Sequence, residues 1–415
     1  MLVDKLCLSG GIFMSFFKIK KLFSSAARAV TAILLCLAIF TGCSQPVLKS
    51  EHEAPSRVSQ LSFPVNYPAD VSAKAAVLIE ATTGRVISAK NADMRLPMAS
   101  TTKIMTALVA IENCDISTMV TISPDAVGVE GSSIYLSEGE QLSLEDLLYA
   151  LLLASANDAA AAIAIEVGGS IKGFAEMMNA KAREMGLLNT HFTNPHGLDD
   201  PEHYTTASEL AKIACAAMQN EVFRAIVSTR KRMIPQNDGE SVRLLVNHNK
   251  LLNGYEGCIG VKTGFTKQSG RCLVSAAERD GIELIAVTLS APDDWNDHKT
   301  MLDYGFSLYE SRTLCEEGEF QYTMPVISGG MDYVILKNED VVALTLPKNI
   351  PDIECTVELP SFIYAPVSQG EQVGSLIYTV DGNIVAEMPI IASYSVDRMI
   401  YKKNFWERLS SLFGR

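Results

Sequence analysis

Apolar residues recur at helical spacing through the first half of the chain and give way to strand-length runs in the second. Ile104, Met105, Leu108, Val109 and Ile111 share one face and predict a helix over 100–112, started by Pro97 and Ser100. Apolar runs predict further helices over 144–153 (ending at Ser155), 159–167 (stopped by Gly168-Gly169), 174–185 and 207–218. Ahead of them, 74–79 and 85–89 flank Thr82-Thr83-Gly84, a hairpin signature. Behind them, 258–261, 272–276 and 284–289 read as strands with Gly-containing turns between, followed by a helix over 297–309. Helices inserted between a leading hairpin and three trailing strands predict an α+β domain over 71–312, an antiparallel sheet with helices packed around it.

The pattern changes again after residue 317. Short β-rich runs at 333–336, 341–346, 355–359, 375–380 and 384–391, broken by Gly, Pro and Asn, predict a small all-β domain over 318–397. The last stretch, 399–415, places Tyr401, Phe405, Leu409, Leu412 and Phe413 at helical spacing, with Trp406 beside them and Lys402, Lys403, Arg408 and Arg415 supplying cations. That combination fits a helix lying on a membrane surface.

The other end reads as an export segment over 1–43. Lys18, Lys20, Lys21 and Arg28 precede an apolar run over 30–40 that is short for a membrane span. It ends in Phe40-Thr41-Gly42-Cys43, which resembles a bacterial lipobox with Phe40 in place of the usual Leu. Cys43 is then the expected lipidation site, with ordinary signal cleavage or an uncleaved anchor as the alternatives to lipidation, and the polar, Pro-containing 44–70 a tether. A net charge of −13 argues against nucleic acid as a partner, since phosphate binding needs a basic face. Cys114, Cys215, Cys258, Cys272, Cys315 and Cys355 are scattered with no C-x-x-C, so neither zinc nor a disulfide scaffold is indicated. Cys258 and Cys272 fall on adjacent predicted strands, where free buried thiols are the expectation and a disulfide the alternative.

Three short motifs carry candidate chemistry. Ser100-Thr101-Thr102-Lys103 sets a hydroxyl and an amine one helical turn apart, within side-chain reach. A serine is a poor nucleophile until a base takes its proton, and lysine serves only if its amine is neutral. Burial and a second cation both lower a lysine pKa, and the cation of Lys262-Thr263-Gly264 can supply that field. Ser155-Ala156-Asn157 adds a hydroxyl able to relay a proton and an amide able to hold Lys103 or a substrate carbonyl. Helix capping alone would account for that Ser and Asn equally well. In the third motif a cation and a hydroxyl suit a carboxylate, and Gly264 permits close approach of a ligand backbone.

In this order, S-x-x-K, S-x-N and K-T-G resemble the signature of penicillin-binding proteins and serine β-lactamases. The longer matches Leu96-Pro97-Met98-Ala99-Ser100-Thr101-Thr102-Lys103, Ser155-Ala156-Asn157-Asp158, Phe192-Thr193-Asn194-Pro195-His196-Gly197-Leu198, His203-Tyr204-Thr205-Thr206 and Gly260-Val261-Lys262-Thr263-Gly264-Phe265-Thr266 are similar to the low-molecular-mass serine D-alanyl-D-alanine carboxypeptidases. The resemblance implies a β-lactamase/transpeptidase-like fold. It implies that Ser100 is the nucleophile and Lys103 the general base, with Ser155 a proton relay and Asn157 in the catalytic group. Lys262, Thr263 and Gly264 would bind substrate, and the Phe265 backbone N–H would complete an oxyanion hole with that of Ser100. The implied substrate is a peptidoglycan peptide ending in D-Ala-D-Ala, and β-lactam antibiotics would acylate the same serine. No cofactor or metal is implied, although His191, His196 and His203 lie close in sequence. Some relatives carry an Arg near Asn247-x-Asn249, where this chain has His248. The implied location is the bacterial envelope, at the outer face of the cytoplasmic membrane. A β-lactamase or endopeptidase on the same fold, and a non-catalytic muropeptide-binding protein, are the alternatives.

Overall fold

The computed structural model describes residues 71–236, 241–350 and 352–400. The export segment, the tether, Cys43 and the tail beyond Ile400 lie outside the described residues.

A leading hairpin, β1 (Ala75–Glu80) and β2 (Val86–Lys90), opens the first domain. Helix α1 (Lys103–Asn113) follows a single 3₁₀ turn, Ala99–Thr102. A short ribbon of β3 (Met119–Thr121) and β4 (Gln141–Ser143) precedes α2 (Leu144–Leu153), α3 (Asn157–Gly168) and α4 (Ile171–Glu184). Next come α5 (Ala207–Met218), α6 (Glu221–Ser228), a second hairpin of β5 (Lys231–Gln236) and β6 (Ser241–Val246), and the single turn α7 (Leu251–Gly254). Strands β7 (Cys258–Thr266), β8 (Gly270–Arg279) and β9 (Ile282–Leu289) lead to α8 (Asp294–Leu308).

The five long strands form one antiparallel sheet in the order β2-β1-β9-β8-β7. Its first and last strands in sequence meet because β9 returns to pair with β1, Val77 opposite Val287. One face packs on the helices around α1, which is apolar nearly all round and buried from Lys103 to Ala110. The other face packs on α8 through Leu78, Leu284, Met301 and Leu302. Helix starts follow side-chain caps: Ser143 accepts from Asp146 N–H, Ser170 from Gly173 N–H, Thr206 from Glu209 N–H and Asn220 from Phe223 N–H.

The smaller domain begins with β10 (Tyr309–Cys315), whose first residues fall in the stretch the sequence assigned to the end of the first domain and whose last fall between the two assigned domains. It pairs with β13 (Val342–Pro347), so it belongs to the second core; β11 (Gln321–Ile327) and β12 (Tyr333–Asn338) lie between them in sequence. Strands β14 (Glu354–Glu358), β15 (Ile363–Tyr364), β16 (Gln372–Val380) and β17 (Asn383–Ala392) complete it. The six-stranded sheet runs β14-β16-β17-β12-β11-β15. At the junction Arg85 stacks over the Tyr309 ring at 4.7 Å and donates to the Thr345 carbonyl at 2.8 Å.

Candidate active site

Ser100 stands in the 3₁₀ turn, and the α-helix begins at Lys103 rather than at Ser100 as the spacing predicts. The reason is local. Thr101 Oγ1 donates to Met98 O at 2.6 Å and Thr102 Oγ1 to Ala99 O at 2.7 Å, three-residue spans that favour the tighter turn. Ala99 sits at φ +48°, a conformation that disfavours any residue with a Cβ. Two contacts hold it there. Gly197 packs on the Ala99 carbonyl so closely that a Cβ would lie 1.9 Å from the oxygen. His203 Nε2 lies 2.8 Å from Thr102 Oγ1, while its Nδ1 accepts from Thr193 N–H at 3.1 Å. With Nδ1 an acceptor, Nε2 carries the proton, and the ring donates into the Thr102–Ala99 chain. Burial pushes this imidazole down to about 4.

Lys103 is fully buried, and its Nζ lies 3.0 Å from Ser100 Oγ, 2.7 Å from Asn157 Oδ1 and 2.6 Å from the His196 carbonyl. Its pKa is held well below the ordinary lysine value, first by burial, then by the Lys262 charge, with Asp158 opposing. Asn157 opens α3 and donates through Nδ2 to the Glu130 carbonyl at 2.5 Å. Asp158 accepts from Ser133 Oγ at 2.6 Å and from Leu136 N–H at 3.1 Å, fixing the loop that carries Ser132 over the cleft. Ser155 sits at φ +59° in the break between α2 and α3, nearly buried.

Lys262, Thr263 and Gly264 lie within β7, not past its end: the strand runs on to Thr266. Lys262 and Gly264 share the face toward the Ala99–Thr102 turn, where a Cβ on Gly264 would lie 3.1 Å from the Ser100 and Thr101 nitrogens. Lys262 is 1% exposed, donates from Nζ to Thr263 O at 2.9 Å, and is lowered to about 7 by burial. A cavity of about 380 Å³ has Ser100, Ser155, Thr263, Gly264 and Phe265 on its walls. The motifs thus meet: Ser100, Lys103 and Asn157 by direct contact, Ser155, Thr263, Gly264 and Phe265 around a shared cavity, Lys262 behind it.

The same cavity is lined by Ser132, His248, Lys250, Arg271, Asp294 and Trp295. Sequence reading singled out only His248 of these. Arg271 was findable: folding the turn after Thr266 sets Arg271 opposite Phe265 on β8.

The D-alanyl-D-alanine carboxypeptidase family matches residues 62–293, and the C-terminal domain of penicillin-binding protein 5 matches residues 309–398. A protein from Bacillus subtilis (strain 168) named D-alanyl-D-alanine carboxypeptidase DacF is 35% identical over 375 residues, 88% of this chain and 93% of that protein. The chain belongs to the D-alanyl-D-alanine carboxypeptidase family. Among solved structures, penicillin-binding protein 5 from Haemophilus influenzae superposes with a TM-score of 0.64 at 29% identity, over 80% of this chain and 100% of that one. A DD-transpeptidase from Streptomyces K15 does so at 0.55 and 35%, over 58% and 99%.

In this member of the family the loop histidines are spread among separate partners. His191 Nδ1 lies 2.6 Å from Glu202 O, Lys103 contacts the His196 carbonyl, and His203 supports Thr102. Cys258 and Cys272 are free thiols; they pair with Ala277 and Gly264 respectively in the sheet, well apart along the strands.

Proposed function

We propose that the chain is a serine D-alanyl-D-alanine carboxypeptidase that removes the terminal D-alanine from peptidoglycan peptides through an acyl-enzyme on Ser100. The arrangement around Lys103 Nζ carries this reading. A neutral amine has two N–H donors and one lone pair. The Asn157 and His196 carbonyl oxygens take the two donors, which leaves the lone pair facing Ser100 Oγ at 3.0 Å. Burial beside a second cation supplies the neutral amine. Lys103 then takes the Ser100 proton as the oxygen attacks the penultimate D-alanine carbonyl. The Ser100 and Phe265 backbone N–H groups receive the oxyanion; one such donor is worth about 3 kcal/mol. Ser155 passes the proton to the leaving amine. Thr263 orients the terminal carboxylate, and Lys262 sets the field on Lys103. Water then hydrolyses the ester. A β-lactam enters by the same steps and stays as the ester.

Fluorescent penicillin and mass spectrometry test this. One adduct is expected on the Ser100 peptide, and none on the Ser100→Ala protein. Labelling that survives Ser100→Ala sinks the reading.

We also infer an envelope location at the outer face of the cytoplasmic membrane, with Cys43 lipidated and 399–415 lying on the lipid surface. What supports this is the sequence pattern at both ends and an apolar patch where the tail leaves the β domain. Met399 N–H bonds Ser328 O, and Ile327 pairs with Tyr364, whose ring meets Phe362 edge-on at 5.5 Å. Ile327, Phe362, Tyr364, Met399 and Ile400 are all well exposed.

A further inference from the structure

We propose that Arg271, aimed by Asp294, is the cation that receives the substrate's terminal carboxylate. This deepens the carboxypeptidase reading and rests on it.

A terminal carboxylate at Thr263 needs a positive partner, and the cleft offers four candidates. Lys262 is sealed below the floor, 1% exposed, with its Nζ on Thr263 O. His248 has its pKa lowered, by desolvation first and the Lys262 charge second, so its ring is neutral at neutral pH. Lys250 is an exposed point charge on a flexible stem. Arg271 is different in kind. It stands opposite Phe265 on β8, so its side chain leaves the same sheet face as Phe265 and Thr263. Its Nε donates to Asp294 Oδ1 at 2.9 Å, and its guanidinium lies 5.8 Å from the Trp295 ring centroid.

The geometry of that ion pair decides its use. Asp294 is nearly buried, with 4% of its side chain exposed, and Oδ1 is pinned by Trp295 N–H at 2.9 Å at the start of α8. It takes only the Nε edge of the guanidinium. The Nη1/Nη2 edge has no hydrogen-bond partner among the described residues, and the side chain is 42% exposed. That free fork matches a carboxylate. Asp294 therefore acts as a positioning residue: it holds the fork over the cleft while leaving its binding edge open.

The test compares acylation of the full chain by a penicillin and by the methyl ester of the same penicillin, read as a rate ratio. Damage to the fold or to Ser100 slows both and leaves the ratio unmoved. Arg271→Gln is expected to lower the acid-to-ester ratio about tenfold. Arg271→Lys should recover part of it. Asp294→Ala, which removes the tether, should lower the ratio. Asp294→Asn, whose amide oxygen still accepts from Nε, should keep it at or above the parent value. An unmoved ratio in Arg271→Gln, or a ratio that follows Lys250→Gln instead, overturns the assignment of Arg271. Asp294→Asn falling as far as Asp294→Ala overturns the positioning role. If the parent protein forms no ester with either compound, the carboxypeptidase reading itself has failed, a distinct result.

Discussion

In the proposed mechanism a single amine, that of Lys103, takes the proton, and its charge state is set by its surroundings. Lys103 is lowered chiefly by burial, and the second contribution is the Lys262 charge. Lys262 is itself lowered to about 7, so it presents that charge mainly below neutrality. The sign follows directly. A nearby cation disfavours the Lys103 ammonium, so removing it raises the Lys103 pKa. Lys262→Met should therefore move the acid limb of the acylation-rate profile to higher pH, and slow acylation at neutral pH by about 10²-fold. The profile is measured with penicillin at single turnover across pH. A slower enzyme whose acid limb stays in place would show that Lys262 acts on the substrate alone.

Elements deliver these residues through backbone conformations that periodicity does not encode. The helix through Ile104 and Leu108 was legible because its apolar positions repeat; the turn before it was not, since Ala99 at φ +48° is imposed by partners far away in sequence. Gly197, about a hundred positions on, is one of those partners, and its own φ is +87°. Gly197→Ala would drive a Cβ into the Ala99 carbonyl and strain position 197 at once. It is expected to lose about 2 kcal/mol of stability or more, read as a lower Tm, and to slow Ser100 acylation about tenfold. Full stability with slow acylation would mean that the turn yields; normal values for both would mean that Gly197 is not a support. The hairpin β5–β6 and helix α6 also escaped sequence reading, and for the hairpin the reason is visible in its side chains. On β6 the inward positions are Arg243, which meets the buried Glu140, and Leu245, while the apolar Val242, Leu244 and Val246 face outward, which erases the apolar-in, polar-out alternation expected of a half-buried strand. The sheet's order was equally hidden, since pairing of β1 with β9 spans the whole domain.

At the scale of the molecule, two cores joined at Arg85 and Tyr309 separate a cleft from a chain end. The cleft lies on the helical domain beside β7, while the chain leaves the β domain at Ile400 through the cluster of Ile327, Phe362 and Tyr364. A cluster of exposed apolar side chains at one place is a candidate contact surface for a membrane or a protein. Tyr suits a lipid–water boundary, where its ring is buried and its hydroxyl stays wet, and Phe adds a purely apolar contact. The basic Lys402 and Lys403 follow immediately, which suits an anionic surface. Flotation of the full chain with phosphatidylglycerol–phosphatidylethanolamine vesicles separates two uses of this cluster. If lipid covers it, changing Phe362 and Tyr364 together to Ser should weaken binding about tenfold, and more in combination with Trp406→Ser. If the tail's own apolar side covers it instead, the same pair of changes frees the tail, and binding holds or rises. Added salt should weaken the tail's share through the lysines and leave the aromatic share in place, so the residual affinity at high salt, compared with and without Phe362 and Tyr364, measures what the β domain itself contributes to vesicle binding.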